Sequence, residues 1–166
     1  MAAEYEQHTH EFEPVYDSNS KILILGTFPS VKSREQGFYY GHPQNRFWKL
    51  LARLLECPIP ATIEEKKQML LANHIAIWDV IASCEIVGSS DSSIRNVVPT
   101  NLEKVLKNAP IRQIYGNGTA ATTLYEKYQK PFIQKDIIKL PSTSPANAAW
   151  NMERLMEAWK EIKCDL

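Results

Sequence analysis

Two asparagines, a tyrosine pair and an aspartate mark where this sequence can do chemistry. Gly26-Thr27-Phe28-Pro29-Ser30 is followed closely by Gly37-Phe38-Tyr39-Tyr40-Gly41-His42-Pro43-Gln44-Asn45-Arg46-Phe47-Trp48. Loop glycines, aromatic rings, an amide and cations in one stretch suit a pocket for a flat polar base beside a phosphate. Tyr39 and Tyr40 either pack the core or offer a ring face to a base, and such stacking tolerates many base identities. The Asn45 amide can hold a water through its carbonyl oxygen or a base through both ends, but it does not titrate and cannot be an ordinary general base. Asn45 also stands at a helix start, where Asn is a favoured N-cap. Asp79 can accept from a base N–H, activate water or cap a strand end. Asn117 lies between two glycines and suits a turn.

Other chemistries find less support. No G-x-G-x-x-G or Walker A loop occurs, which removes the usual dinucleotide and nucleoside triphosphate sites. No metal site is expected: His8 and His10 read as part of a mobile N-terminal arm, and His42 and His74 are isolated in sequence. Ser30, Ser142 and Ser144 lie outside any G-x-S-x-G motif. Cys57, Cys84 and Cys164 are odd in number and far apart, so they read as incidental thiols rather than a cluster. Nineteen basic and nineteen acidic residues cancel, which argues against coating nucleic acid by bulk charge, although Lys32, Arg34, Arg46, Lys49 and Arg53 form a local basic group.

The elements that must position these residues follow from periodicity. Residues 21–25 form a short apolar run ending at a glycine, the pattern of a fully buried parallel strand. Similar runs are expected at 75–80, 111–115 and 136–140. Phe47, Leu50, Leu51, Leu54 and Leu55 recur at helical steps, predicting a helix over about 45–56 that Pro58 and Pro60 end. Further helices are expected over 64–73, 100–107 (opened by the capping box Thr100 to Glu103), 119–128 and 147–163. Alternating strands and helices imply an α/β fold, a three-layer α/β/α sandwich with a mostly parallel sheet of about four strands. In such sheets the ligand crevice lies beyond the carboxyl ends of the strands, where loops 26–46, 79–95, 116–118 and 141–147 converge. The 166 residues read as one domain, with residues 1–20 an extended arm; no membrane span or secretory signal is recognised, so a soluble, cytoplasmic or nucleoid-associated protein is expected.

At several separated segments the sequence resembles the uracil-DNA glycosylase superfamily, specifically its hypoxanthine-DNA (deoxyinosine) glycosylase family. They are Pro14-Val15-Tyr16-Asp17 through Ser30, Tyr40-Gly41-His42-Pro43-Gln44-Asn45-Arg46-Phe47-Trp48, Ile77-Trp78-Asp79-Val80, Gly116-Asn117-Gly118 and Ser142-Thr143-Ser144-Pro145-Ala146. The His-Pro-x-Asn-Arg-Phe-Trp run is also similar to mismatch-specific uracil/thymine glycosylases, but Phe28 stands where that branch has its water-binding Asn. Ser142-Thr143-Ser144-Pro145 has no His where uracil-specific enzymes have His-Pro-Ser-Pro.

The resemblance implies an enzyme that flips a deaminated base, hypoxanthine first, out of duplex DNA and hydrolyses its N-glycosidic bond, without metal or organic cofactor. It implies Asn45 as the water-positioning residue with Asn117 as a second catalytic candidate. Gly26, Thr27, Phe28, Tyr40 and Asp79 are expected to bind the base, with Tyr40 as the stacking platform. Ser30, Lys32, Arg46, Arg95, Ser142, Ser144, Pro145, Ala146 and Asn147 are expected to hold the DNA, Ala146 or Asn147 as the wedge. The partner is then DNA containing deaminated bases, met by a monomer. A uracil or mismatch thymine glycosylase and a non-catalytic damaged-DNA binder are the alternatives.

Overall fold

Two strands of the four-stranded central sheet are buried along their whole length. The computed structural model describes residues 4–10 and 12–166. Strand β1 (Glu6–Thr9) opens the described chain, and β2 (Ile22–Gly26), β3 (Ile75–Asp79), β6 (Gln113–Asn117) and β7 (Ile137–Leu140) form a parallel sheet in the order β3-β2-β6-β7. Successive side chains of a strand face opposite ways, yet Ile22, Leu23, Ile24 and Leu25 are all fully buried, so helices cover both faces. The three-layer expectation is met.

Those helices are α1 (Val31–Gln36), α2 (Phe47–Leu54), α3 (Ile63–Ala72), α4 (Glu103–Leu106), α5 (Thr119–Tyr128), α6 (Lys130–Ile133) and α7 (Met152–Trp159). Helix α2 buries Phe47, Leu50, Leu51 and Leu54, the stripe its spacing predicts. It packs on α7, where buried Trp159 meets the Phe47 ring edge-on at 6.1 Å and donates its indole N–H to Pro141 O at 2.8 Å. Thr62 and Asn151 cap α3 and α7 through their side chains. The capping box at Thr100 is not formed: the Thr100 hydroxyl instead donates to Asp79 O at 2.8 Å, and α4 starts without a side-chain cap.

Three expectations are corrected. Residues 79–95 are not one loop. They contain β4 (Ile81–Ile86), which with β5 (Arg95–Pro99) and β1 builds a second, antiparallel sheet ordered β1-β4-β5. The N-terminal arm is therefore not simply mobile and extended: β1 is stitched to β4, and Val15 bridges Ile77 beside the main sheet. The closing helix is also shorter than expected, because residues 141–151 form a structured loop before α7.

From β2 the chain builds β3 on one side and later β6 on the other. The strand order thus reverses about β2, and a crevice opens past Gly26 at this switch point.

Candidate active site

The crevice past Gly26 is a cleft of about 400 Å³, within the size range of small-molecule pockets. Its floor is the carboxyl ends of β2, β3 and β6, which present Gly26, Asp79 and Asn117. Loop 27–30 supplies Thr27, Phe28 and Ser30, and the first turn of α1 supplies Lys32; loop 39–45 supplies Tyr40, His42 and Asn45; loop 142–146 closes the remaining side.

One hydroxyl organises the polar side. Thr143, fully buried, accepts from Asn117 Nδ2 at 3.0 Å and donates to Asn45 Oδ1 at 2.9 Å, while its own backbone N–H donates to Asn117 Oδ1 at 3.1 Å. Asn45 Oδ1 also accepts from Phe47 N at 2.9 Å. An N–H requires an acceptor, so this contact fixes the amide's orientation. The expected use of the Asn45 carbonyl to hold water changes accordingly, because its oxygen is engaged twice and its NH2 is the end left to serve the cleft.

The aromatic side is equally fixed. Tyr40 adopts φ 52°, and its ring stacks on Phe47 with centroids 3.9 Å apart. One ring face is therefore covered, and its hydroxyl is buried without a hydrogen-bond partner. Burial foremost, with the Asp79 charge behind it, pushes the Tyr40 pKa far up, and a contact with the Asn117 amide opposes this weakly; Tyr40 stays a neutral donor. Tyr39 is raised for the same leading reasons and donates its O–H to Glu13 O at 2.8 Å. Gly26 has to be glycine: a Cβ there would stand 2.4 Å from Asp79 Oδ1. Asp91, from the 3₁₀ turn after β4, reaches the same cleft, and desolvation by the surrounding protein, followed by the Asp79 charge, raises its pKa.

Loop 142–146 is held from behind. Arg46 donates to the carbonyl oxygens of Thr143 (3.4 Å), Ser144 (2.9 Å), Asn147 (3.1 Å) and Trp150. Ser142 and Ser144 hydroxyls accept from Ser144 N and Ala146 N, and Asn147 donates to Ser142 O at 3.0 Å. Pro145 and exposed Ala146 line the outer lip.

The sequence matches the model of the uracil DNA glycosylase superfamily over residues 13–163. The chain belongs to the uracil DNA glycosylase superfamily. A Methanosarcina acetivorans protein named hypoxanthine DNA glycosylase is 33% identical over 153 residues, covering 91% of this chain and 95% of that protein. A Methanosarcina barkeri protein of the same name is 36% identical over 86 residues, 51% of this chain and 54% of its own length. The solution NMR structure of a Methanosarcina acetivorans protein described as a candidate uracil DNA glycosylase matches with a TM-score of 0.76 at 30% identity, covering 92% of this chain and 96% of that one.

Within this superfamily member, most expected site residues converge on the cleft, and three do not line it. Arg46 was expected on phosphate, but its guanidinium is spent bracing loop 142–150. Arg95 lies on β5, paired with Glu85 at 3.0 Å and stacked over Tyr5 at 3.5 Å. Asn147 ties its own loop together. Lys32 remains half-exposed at the cleft mouth, 3.4 Å from Glu35, and Ser30 caps α1. The Tyr40 hydroxyl lies buried against the cleft floor and one ring face is taken, which limits the stacking role expected of it.

Two residues at the site escaped sequence reasoning. Thr143 was visible only as part of a Ser-rich motif. His10 had no local signal: β1 carries it to Asp79, where Nε2 and Oδ2 are 2.8 Å apart and both side chains are about 5% exposed or less. Among the described residues no cluster of His, Cys, Asp and Glu suited to a metal occurs, and no helix is long and apolar enough to cross a membrane.

Proposed function

We propose that this chain is a monofunctional DNA glycosylase that removes a deaminated base, hypoxanthine first, from DNA. The observation carrying this reading is the amide pair Asn45 and Asn117, locked through Thr143 beside the Tyr40 hydroxyl and the Asp79 carboxylate in one base-sized cleft. The names of the Methanosarcina relatives support the same base.

The duplex cannot deliver its target atom from inside the stack, so the nucleotide is flipped into the cleft at a cost of a few kcal/mol, less at an unstable pair. The C1′–N bond then breaks, its electron pair going to the base nitrogen, while the sugar takes on oxocarbenium character. A water oxygen bonds to C1′ and releases its proton to solvent, and the base takes up a proton as it leaves. An abasic site and a free base remain. The Asn45 NH2 donates to the attacking water and fixes its place; attack on a nearly formed cation needs little base strength. Backbone N–H groups at Thr27 and Phe28 and the Asn117 amide are the groups we assign to charge on the departing base.

Loop 142–146 meets the DNA backbone, with exposed Ala146 as the wedge, and Lys32 contacts phosphate. Residues 1–166 act as one glycosylase domain and as a monomer, in the cytoplasm where the nucleoid lies. Single-turnover release from duplexes carrying one deoxyinosine, uracil or xanthine tests the reading. Hypoxanthine release is expected. Release mainly of uracil moves the protein to a neighbouring activity, and salt-sensitive binding without alkali-labile breaks makes it a binder.

A further inference from the structure

His10 is the buried polar group that the glycosylase reaction leaves unused. Pairing of β1 with β4, continued by His10 N to Ala82 O at 2.6 Å, sets its ring behind the floor of the cleft. Edges and faces of Phe12, Phe28 and Tyr39 surround it, with centroids 4.8, 6.1 and 5.7 Å away. Nδ1 is buried without a partner, so the whole hydrogen-bonding use of this side chain is its Nε2 contact with Asp79 Oδ2. A carboxylate only accepts, hence Nε2–H donates.

This contact assigns the two carboxylate oxygens. Oδ2 is turned to His10, and Oδ1 is left over Gly26. A Cβ placed on Gly26 would lie 2.4 Å from Oδ1 and 3.1 Å from the Tyr40 hydroxyl, so both groups pack against Gly26, and all three residues line the cleft. One is an acceptor, and the other is a buried donor with no partner of its own.

An acceptor beside a donor is complementary to a lactam edge, –NH–CO–. Hypoxanthine offers this at N1–H and O6, and uracil and xanthine offer equivalent edges. Adenine and cytosine carry the reverse pattern, a ring-nitrogen lone pair beside an amino group, and the sugar tether prevents the base from turning to exchange them. Deamination converts the second pattern into the first.

We propose that Asp79 Oδ1 and the Tyr40 hydroxyl read the lactam edge that deamination creates, and that His10 is the positioning residue that keeps the Asp79 acceptor facing the base. The inference rests on the glycosylase reading. It explains rejection of adenine and cytosine; guanine has the same edge with an added 2-amino group, so its rejection falls to other contacts.

The test is an amide swap with a compensating partner, read as multiple-turnover kcat and KM for hypoxanthine release. In Asp79→Asn the His10 N–H claims the amide oxygen and turns the NH2 toward the base N–H, and kcat/KM is expected to fall on the order of a hundredfold. His10→Gln alone lowers it about threefold to tenfold, since the glutamine amide still donates but is held less firmly. In the double variant the glutamine can accept instead, the carbonyl of residue 79 turns back to the base, and kcat/KM is expected to rise at least about tenfold above the Asp79→Asn value. A merely structural His10 would leave the double variant at or below that single variant, which overturns the inference. Tyr40→Phe keeps the ring packing on Phe47 and is expected to lose about tenfold, mainly in KM; an unchanged value overturns the donor role. Should Asp79→Asn fail to melt cooperatively, Tyr40→Phe and His10→Gln decide the matter on the same kinetics. Absence of release by the wild type from every duplex would instead strike the glycosylase reading itself.

Discussion

Asn45 and Asn117 share one hydroxyl, that of Thr143, which accepts from Asn117 Nδ2 and donates to Asn45 Oδ1. Each contact has a fixed donor and acceptor, so the chain dictates how both amides face. Thr143→Val is nearly isosteric but strands the Asn117 NH2 and one Asn45 lone pair. Stability is expected to fall by about 1–3 kcal/mol, the cost of buried polar groups losing a partner. Base release should fall more steeply than DNA binding. Thermal melts and single-turnover release check this, and unchanged release would separate Thr143 from catalysis.

Asn45→Ala removes the NH2 aimed at the cleft and the oxygen that accepts from Phe47 N. DNA binding is expected to persist while base release falls about a hundredfold or more, the size of effect seen when one preorganised donor is deleted. Gel-shift titration beside alkali-labile break formation measures the two separately. Wild-type release in the variant would remove Asn45 from the reaction.

What the sequence made legible was what local pattern controls. The buried runs at 22–25 and 75–79, the stripe of α2 and the helix at 119–128 follow from spacing and composition, and they place Asn45, Asp79 and Asn117 at strand and helix ends. What it hid depends on partners far along the chain. The β1 segment Glu6-Gln7-His8-Thr9 is polar and carries no strand period, and it pairs because β4 offers an edge. His10 therefore reached Asp79 without any sequence signal. Arg46 follows a motif Asn and looks like a phosphate ligand, yet loop 142–150 folds over it and its donors go to four carbonyl oxygens.

The same contrast separates two cations in solution. Arg46→Lys keeps the charge but gives up the fork that reaches several carbonyls, so stability is expected to drop by about 1.5–3 kcal/mol. Its salt dependence of DNA binding should match the wild type. Lys32→Ala should do the reverse: little change in melting, and a slope of log affinity against log salt shallower by about one. A shallower slope for Arg46→Lys would return that residue to the phosphates.

Alkaline unfolding reports the buried phenols. Burial is the leading cause that raises Tyr39, Tyr40 and Tyr115 above the ordinary tyrosine range and pushes Tyr125 up to about 12. In the unfolded chain tyrosine ionises near about pH 10. Below that value both states keep the proton, and the stabilisation is complete. As pH rises from about 10 through the native value, only the unfolded state sheds protons, so stability falls with pH. For Tyr125 the window closes near pH 12, while for the other three it extends further. Denaturant midpoints should therefore drop steadily above about pH 10. Part of the 295 nm phenolate absorbance should appear only with unfolding. Tyr125→Phe, which loses the O–H donated to Lys135 O at 2.7 Å, should soften the drop within its window. Full tyrosine ionisation in the folded protein near pH 11 would contradict this burial.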